Sequence, residues 1–477
     1  VYIEELKTGT TTNEYGFYSL TLPQGNYTLK YSYIGYENMV RPMELSDDQT
    51  IDIELLSASM QLTEIVISSE AVDKNIKEAS MGVVKLTPQE TKTIPAILGE
   101  QDILKTIQLL PGVTSGAEGT TGFYVRGGGV DQNLIMLDEA PVYSSAHLMG
   151  FFSVFNADAI KDVELHKGNA PAQYGGRLSS ILDIQMNDGN SKKFSTSGGL
   201  GLLASRLTVE APIVKDKGSF IVSGRRSYAD MFLVFSKDKT RANTDLYFYD
   251  LNAKTNYKIN DNNRIYLSGY FGKDVFNIKE LFSLKWGNKT GSLRWNHIFN
   301  NRLFLKSSLI PRYYNYGFGY SLSNNTLNLN SGIRDINWKE DFQFYPHANN
   351  TLSFGFNAIY HTYSPGEIES ENDELLNSTF MNQKQAFEGA AYISHEWNIT
   401  DRISATYGVR YSGFAAMGPD TVYTYNENDE IINSEFFNKR EIIRKYGTLE
   451  PRATFSFVLN KNNSVKFSYA RNAQYVH

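Results

Sequence analysis

Few side chains in this sequence are spaced for chemistry. The seven His are scattered, and none falls in a His-Glu-x-x-His arrangement that would set two imidazoles on one helix face for a zinc ion. There is no Cys, which removes disulfides, thiolate metal ligands and cysteine nucleophiles together. Gly127-Gly128-Gly129 could in principle wrap a phosphate. No Lys-Ser/Thr pair follows it and no helix opens directly behind it, so a tight turn is expected. The acidic stretches Glu367 to Glu374 and Glu427 to Glu430 could hold divalent cations or a cationic ligand, but as solvated loop tips they need neither. No nucleophile elbow and no metal motif is present, so neither an enzyme nor a bound cofactor is expected.

The elements that carry these residues follow from bulk numbers and periodicity. A chain of 477 residues is too long for one ordinary domain. Its mean hydropathy of -0.37, with 41% hydrophobic and 21% charged residues, resembles that of a soluble protein. The longest apolar runs, such as Met231 to Phe235, are only a few residues long, so a membrane-spanning helix is excluded. A membrane barrel is not, because its strands alternate lipid-facing with lumen-facing residues and average out in hydropathy. The 31 Tyr and 28 Phe against 4 Trp suit β-strands and interfacial girdles. A net charge of -6 and a pI near 5.8 argue against a phosphate-neutralising surface, so nucleic acid is not expected as a partner.

Three segments emerge along the chain. In residues 1–58, Gly16 to Leu22 and Tyr27 to Tyr33 alternate apolar with polar residues around a hairpin loop at Pro23 to Asn26, which predicts a small β-sandwich. Residues 59–75 read as a linker containing a short strand. In residues 76–190, Asp102, Ile103, Ile107 and Leu110 fall at helical spacing ahead of a Pro111-Gly112 stop. Strand-like runs follow at Phe123 to Arg126, Leu134 to Leu137, Val163 to His166 and Ile181 to Met186, giving an α/β domain. Residues 191–477 repeat a hairpin plan with about twelve strands. Short polar turns at Lys215 to Gly218, Asn260 to Asn263, Asn300-Asn301, Pro346 to Asn350, Thr400-Asp401 and Lys461 to Asn463 alternate with long polar loops, notably Ser364 to Gln383 and Ala415 to Arg444. Short turns at one rim and long loops at the other are the asymmetry of an outer-membrane barrel. The outward face is expected to carry an apolar band flanked by aromatics such as Tyr228, Phe232, Tyr247, Phe248 and Tyr249.

The middle segment carries a family resemblance. Leu104-Lys105-Thr106-Ile107-Gln108-Leu109-Leu110-Pro111-Gly112-Val113, Tyr124-Val125-Arg126-Gly127, and Asn133 to Val142 with its Asp138 resemble the plug of TonB-dependent outer-membrane receptors. Ile160 to Gly168 and Tyr174-Gly175-Gly176-Arg177-Leu178 to Ile184 look like the closing plug elements, in the family's order and spacing. The set covers about a quarter of the chain. Thr12 to Leu20 with Leu22 to Tyr27 resembles a carboxypeptidase-regulatory-like domain of the type found in Bacteroidota. Gly408-Val409-Arg410-Tyr411, Glu450-Pro451-Arg452-Ala453 and Val465 to Arg471 look like mid-barrel strand motifs.

What the resemblance implies is a mostly β protein: a small periplasmic β-sandwich, an α/β plug, and part of a transmembrane antiparallel barrel that in this family has about 22 strands. So wide a barrel needs a plug to seal it, and import then needs energy that the outer membrane lacks. The family takes it from TonB, working with ExbB and ExbD, which pulls on a segment ahead of the plug. Leu62, Thr63, Glu64, Ile65, Val66, Ile67 and Ser68 are similar to that segment and could add as a strand to a partner sheet; the alternative is a plain linker. Arg126, Gly127, Asp138, Gly168, Tyr174, Gly175 and Arg177 are the plug-motif residues. Arg126 and Arg177 could pair with acids of the barrel wall, or could simply be plug-surface charges.

The cargo would be a scarce ligand of siderophore, cofactor, peptide or glycan class. The sugar-importing SusC-like branch, which works under a surface lipoprotein, usually has a Ser-Arg-Gly-Ala-Asn-Gly-type motif where this chain reads Tyr174-Gly175-Gly176-Arg177-Leu178. That departure tells against a glycan and against the lipoprotein lid. A passive or structural barrel is the other class, and residues 99–188 speak against it because such a barrel needs no plug. The polypeptide is expected to continue beyond the 477 residues, since open barrel edges in lipid would leave backbone groups unpaired.

Overall fold

Residues 1–6, 8–13, 15–33, 36–55, 80–86, 101–116, 121–322, 325–371, 379–400, 402–460 and 462–476 are described in the computed structural model. The TonB-contact stretch Leu62 to Ser68 lies outside the described residues, as does part of the acidic stretch Glu367 to Glu374.

The N-terminal unit is a four-stranded antiparallel sheet in the order Thr8–Gly9, Tyr2–Ile3, Gly25–Tyr31, Met39–Leu45. Alternation along Gly25–Tyr31 buries Tyr27, Leu29 and Tyr31 against Ile3. The expected hairpin of Gly16 to Leu22 with Tyr27 to Tyr33 is not formed. Gly25–Tyr31 begins inside the expected loop and pairs with Tyr2–Ile3 and Met39–Leu45. Tyr18, Leu20 and Leu22 instead pack on the core from extended chain outside the ladder. Period 2 marked the buried face correctly, but it carries no information about the pairing partner.

The middle unit is built on a five-stranded mixed sheet in the order Val83–Leu86, Ile160–Lys167, Ser180–Met186, Asn133–Leu137, Ala140–Pro141. Ser180–Met186 runs parallel to Asn133–Leu137 and antiparallel to Ile160–Lys167. One short helix, Ile103–Gln108, lays Ile103, Leu104 and Ile107 on this core. Asp102 is its N-cap rather than a core residue, accepting from the amides of Leu104 and Lys105 at 2.9 and 3.2 Å. Leu182, Ile184, Leu165, Val154 and Phe155 are fully buried in the same cluster, so the unit has a hydrophobic core of its own.

The C-terminal unit is one large antiparallel sheet, here called the wall. Thirteen strands follow chain order from Ser195–Leu200 to Asn463–Ala470, and the short strand Thr379–Phe380 pairs to its side. Strands such as Leu303–Leu322, Asn325–His347 and Asn350–Glu371 hold 20, 23 and 22 residues. A membrane crossing takes only about ten, so these hairpins stand well clear of a bilayer. For that reason Ser364 to Gln383 and Ala415 to Arg444, expected as loops, are partly strand. Ile403–Met417 and Ile442–Asn460 run into the second stretch, which also contains the separate hairpin Asp420–Tyr425 with Ile431–Phe437. With solvent on both faces, Asp420–Tyr425 and Ile431–Phe437 have no alternation to reveal them.

Wall strands alternate between a wet inner face and an apolar outer one. Along Thr244–Asn260, Asp250, Asn252, Lys254 and Asn256 are buried on the inner face, and Leu251 is exposed on the outer one. Leu267, Leu293, Leu309, Ile336, Trp338, Ile393 and Leu449 continue the exposed apolar face. Tyr247 and Tyr249 lie on it, and Tyr249 meets Phe271. Phe248 does not: as the neighbour of both it must face inward, where it is fully buried against His147. Tyr228 also turns back, its hydroxyl donating to the carbonyls of Gly201 and Ala204, and Phe232 sits in the short helix Asp230–Leu233.

Candidate functional site

The middle unit contacts the inner face of wall strands from Ala204–Val214 round to Ile442–Asn460, so the wall wraps it as a plug. The contact is largely polar, with an apolar patch where Leu148 and Phe152 of the plug meet Phe248 of the wall. Most of its cations come from the wall and most of its carbonyls from the plug, and carboxylates stand on both sides: Asp138 and Glu139 on the plug, Asp250, Asp274 and Asp335 on the wall.

The most loaded point is the two-residue turn Asp138-Glu139 between strands Asn133–Leu137 and Ala140–Pro141. Both residues have positive φ, 47° and 72°, the pattern of a type I′ turn that favours Asn-Gly. Holding two side-chain-bearing residues there costs about 1 kcal/mol or more each. Ionic contacts offset that cost. Asp138 accepts from the Met186 amide at 2.9 Å and pairs with Lys254 Nζ at 3.1 Å. Lys254 also holds Asp188 at 2.9 Å. Glu139 Oε1 lies 3.3 Å from both Arg294 Nη1 and Lys306 Nζ, and Ser308 Oγ donates to Oε2 at 2.9 Å. Burial works to raise the Glu139 carboxyl, but Lys306, Lys339 and Arg294 outweigh it and hold it far below the usual carboxylate range. At Asp188 burial is likewise outweighed, by Lys254 and Lys161, and the carboxyl falls to about 2.

A second pin is His147, fully buried between plug and wall. Its Nδ1 is 2.7 Å from Asp274 and its Nε2 is 3.3 Å from Asp250, with the Tyr270 hydroxyl 3.2 Å from Nε2. Its ring stacks on Phe248 at 4.2 Å. Asp274 also accepts from the Leu148 amide at 2.8 Å. Arg225 clamps Asp250 through Nε and Nη2 at 2.9 and 2.7 Å and donates to the Ser153 carbonyl at 2.6 Å. Burial pushes the His147 imidazole down, but the two facing carboxylates prevail and raise it.

A third cluster joins the Tyr143 hydroxyl, which donates to Asp335, with Arg312 at 2.7 Å and His361 at 2.7 Å from the same carboxylate. A fourth holds the Ala170 to Gln173 loop by its carbonyls: Arg452 donates to Ala170 and Pro171 at 2.9 and 2.6 Å, and Arg410 to Ala172 and Gln173 at 3.4 and 3.2 Å. A Cβ on Gly175 would lie 2.4 Å from Arg410 Nε, and because Arg410 is itself buried, the wall guanidinium can pass here only beside a glycine.

Of the motif residues, Asp138 is a wall anchor and Gly175 a wall contact, while Tyr174 braces the plug internally by donating to Asp183 at 2.9 Å. Among the described residues, neither Arg126 nor Arg177 bridges to a wall acid. Arg126 is exposed, its guanidinium passing beside Gly82 and Gly168, where a Cβ would meet it at 3.1 and 3.3 Å. Arg177 donates to its own neighbour, the Gly176 carbonyl, at 2.8 Å. Gly127 and Gly168 take left-handed φ of 82° and 94°, turns that suit glycine. Gly127-Gly128-Gly129 is a tight turn leading into a single 3-10 turn, Val130–Gln132. Sequence reasoning missed the anchoring roles of Glu139, Tyr143, His147 and the wall cations, Arg410 and Arg452 being read only as parts of strand motifs. The usable signals were an acidic pair in a position that demands Asn-Gly, and charged residues at alternate positions of wall strands.

These shifts predict how plug seating varies with pH. Depressed carboxyls stabilise the seated plug above their ordinary values of 3.8 for Asp and 4.5 for Glu, and that contribution is lost as pH falls through the lowered values, about 2 for Asp188. His147, raised from 6.5, contributes fully below 6.5 and stops contributing as pH rises through its raised value. The urea concentration that releases the plug should therefore be highest between about pH 4.5 and 6.5 and fall on both sides. A flat profile from pH 2 to 9 would contradict the ionic account.

Three family models match the chain: a CarboxypepD_reg-like domain over residues 1–67, a TonB-dependent receptor plug domain over 84–180, and a TonB-dependent receptor-like β-barrel over 223–474. No curated protein sequence matches it. Among solved structures it is similar to the alcaligin outer-membrane receptor FauA from Bordetella pertussis, with a TM-score of 0.57 and 14% identity over 83% of this chain and 63% of that one. It is similar also to BauA, the ferric preacinetobactin receptor of Acinetobacter baumannii, at 0.57 and 11% over 80% and 62%, and to the copper transporter OprC at 0.58 and 9% over 79% and 61%. The chain thus spans about three-fifths of the length of these structures. With a mostly β architecture, a plug ringed by wall cations, and a barrel model matched over more than half its length, the chain belongs to the TonB-dependent receptor family.

Proposed function

We infer that this protein is an energised importer of the outer membrane of a Gram-negative bacterium, with its N-terminal domain in the periplasm. The observation that carries this reading is the division of forces at the plug. Its hydrophobic core is largely its own, and its contact with the wall is made mostly by ion pairs and hydrogen bonds. Such a unit can be shifted or partly opened without exposing the wall's own apolar face. A passive or structural barrel has no use for it.

On this reading TonB, driven by ExbB and ExbD, takes hold of Leu62 to Ser68 by strand addition. The next described plug strand, Val83–Leu86, is an edge strand paired through only four residues to Ile160–Lys167, so tension from the N-terminal side loads the weakest part of the plug sheet first. The plug turns from Tyr143 to His147 and the wall residues around them are where cargo contact would be relayed. The cargo is a scarce small ligand. The siderophore and copper proteins of similar fold support a metal complex within that class, and the Tyr174 to Leu178 sequence does not support a lipoprotein-lidded glycan importer. No enzymatic step and no resident cofactor belong to this reading.

Immobilised C-terminal domain of TonB is expected to retain the detergent-solubilised receptor, and to lose it when Leu62 to Ser68 are deleted. Equal retention of both forms, or of neither, would overturn the assignment of this segment as the energised contact.

A further inference from the structure

The N-terminal domain touches both moving parts of the closed receptor. Between Asn13 and Phe17 its chain makes a compact turn. The Asn13 side-chain oxygen accepts from the amides of Tyr15 and Phe17, each at 3.0 Å; the Asn13 carbonyl accepts from Gly16 at 3.0 Å, and Gly16 takes φ 83°. The turn is tied by these hydrogen bonds and presents two aromatic rings. Those rings enter the short-turn end of the wall and meet its first inward-facing aromatics. Tyr15 stacks on Phe304 with centroids 4.9 Å apart, and Phe17 packs on Phe304 at 5.4 Å and on Tyr345 at 4.8 Å. Asn13 Nδ2 donates to the Tyr345 hydroxyl at 3.3 Å and to Gln343 Oε1 at 3.4 Å. Phe304 is 2% exposed as a result.

Elsewhere the same domain meets the plug, where Lys161 Nζ lies 5.2 Å over the ring of Tyr33. A small polar cavity is walled by all three units: Tyr15 of the N-terminal domain, Gln173 of the plug, and Lys306, Asp341 and Tyr392 of the wall. Lys306 is also one of the two cations paired with Glu139 of the plug turn.

We propose that the N-terminal domain is a clasp that locks plug to wall, with the Asn13 to Phe17 turn as its catch and the Phe304 and Tyr345 rings as its keeper. A body bonded at once to wall and plug resists their relative movement until one bond lets go. Its catch is aromatic, so it holds at any ionic strength, unlike the ion pairs deeper in the lumen. Opening therefore needs two releases, the clasp and then the charged anchors. The inference concerns the closed state alone and does not depend on the cargo or on TonB.

The chain has no cysteine, so a clasp can be locked selectively with a pair of introduced thiols. In the full receptor, Asn13→Cys with Gln343→Cys is bridged by a short bis-maleimide cleavable by reductant, and potassium current through planar bilayers is recorded as urea loosens the plug. The bridged form should open on the order of tenfold more slowly than wild type, recovering on cleavage, and Tyr15→Ala with Phe17→Ala should open on the order of tenfold faster. Equal opening rates for bridged and cleaved forms, with bridging confirmed by mass, would overturn the proposal. The bridged arm leaves every residue of the domain's core in place, so it decides the matter even if the double alanine variant unfolds the domain.

Discussion

Proline at Ile65 or Val66 is expected to stop energised uptake while the receptor still reaches the outer membrane at wild-type level and still binds its cargo. A TonB contact by strand addition places main-chain hydrogen bonds in series along the pull, an arrangement that tolerates force better than side-chain contacts alone. Proline removes one ladder donor and fixes φ, so it breaks that series wherever it stands. Among the described residues the plug sheet begins at Val83–Leu86, seventeen or more positions after the substituted ones. Loss of assembly is therefore not expected. The measurement is growth on the receptor's own nutrient in a strain with no other route for it, together with the amount of receptor in outer-membrane fractions. Growth at the wild-type rate in both proline variants would mean that the contact lies elsewhere and that residues 62–68 are a linker.

Arg225→Ala is expected to loosen the plug more than any other single change in the wall. Arg225 is buried and is a permanent cation bonded to Asp250, which shares His147 with Asp274; the two carboxylates are 3% and 1% exposed. Removing one partner of a buried ionic cluster costs about 3–5 kcal/mol, because it strands the remaining charge rather than merely deleting a bond. Here His147 alone would face two carboxylates, and the Ser153 carbonyl of the plug would lose its donor. Arg225→Lys should recover only part of the loss, since an ammonium cannot reproduce the two bonds to Asp250 and the one to Ser153 together. The urea midpoint for plug release reports this directly. An unchanged midpoint in Arg225→Ala would show that the His147 cluster is not an anchor.

Much of this architecture was legible because it is local. Asn260 to Asn263 and Lys461 to Asn463 announced hairpin turns by their chemistry, and alternation along Thr244–Asn260 announced a strand with one wet and one apolar face. The plug motifs were readable for a different reason: an ordered set of short signatures identifies a family without any knowledge of contacts. What alternation cannot supply is which face is which. Tyr247, Phe248 and Tyr249 look alike in sequence, yet adjacent strand residues must point opposite ways, and only the plug's position assigned Phe248 to the lumen. Pairing was equally hidden in the N-terminal domain, where Gly16 to Leu22 has the pattern of a strand and no ladder partner.

The anchors lay furthest out of reach. Arg126 and Arg177 invited a reading in which the plug brings the cations, whereas Lys254 reaches Asp138 across 116 positions of sequence and Ser308 reaches Glu139 across 169. Sequence alone determined that the chain makes a plug and a wall, because those follow from short-range period and motif. Which charges meet across their contact was decided by tertiary structure, since a buried charge is tolerable only where folding brings its partner, and no local pattern encodes a partner that far away.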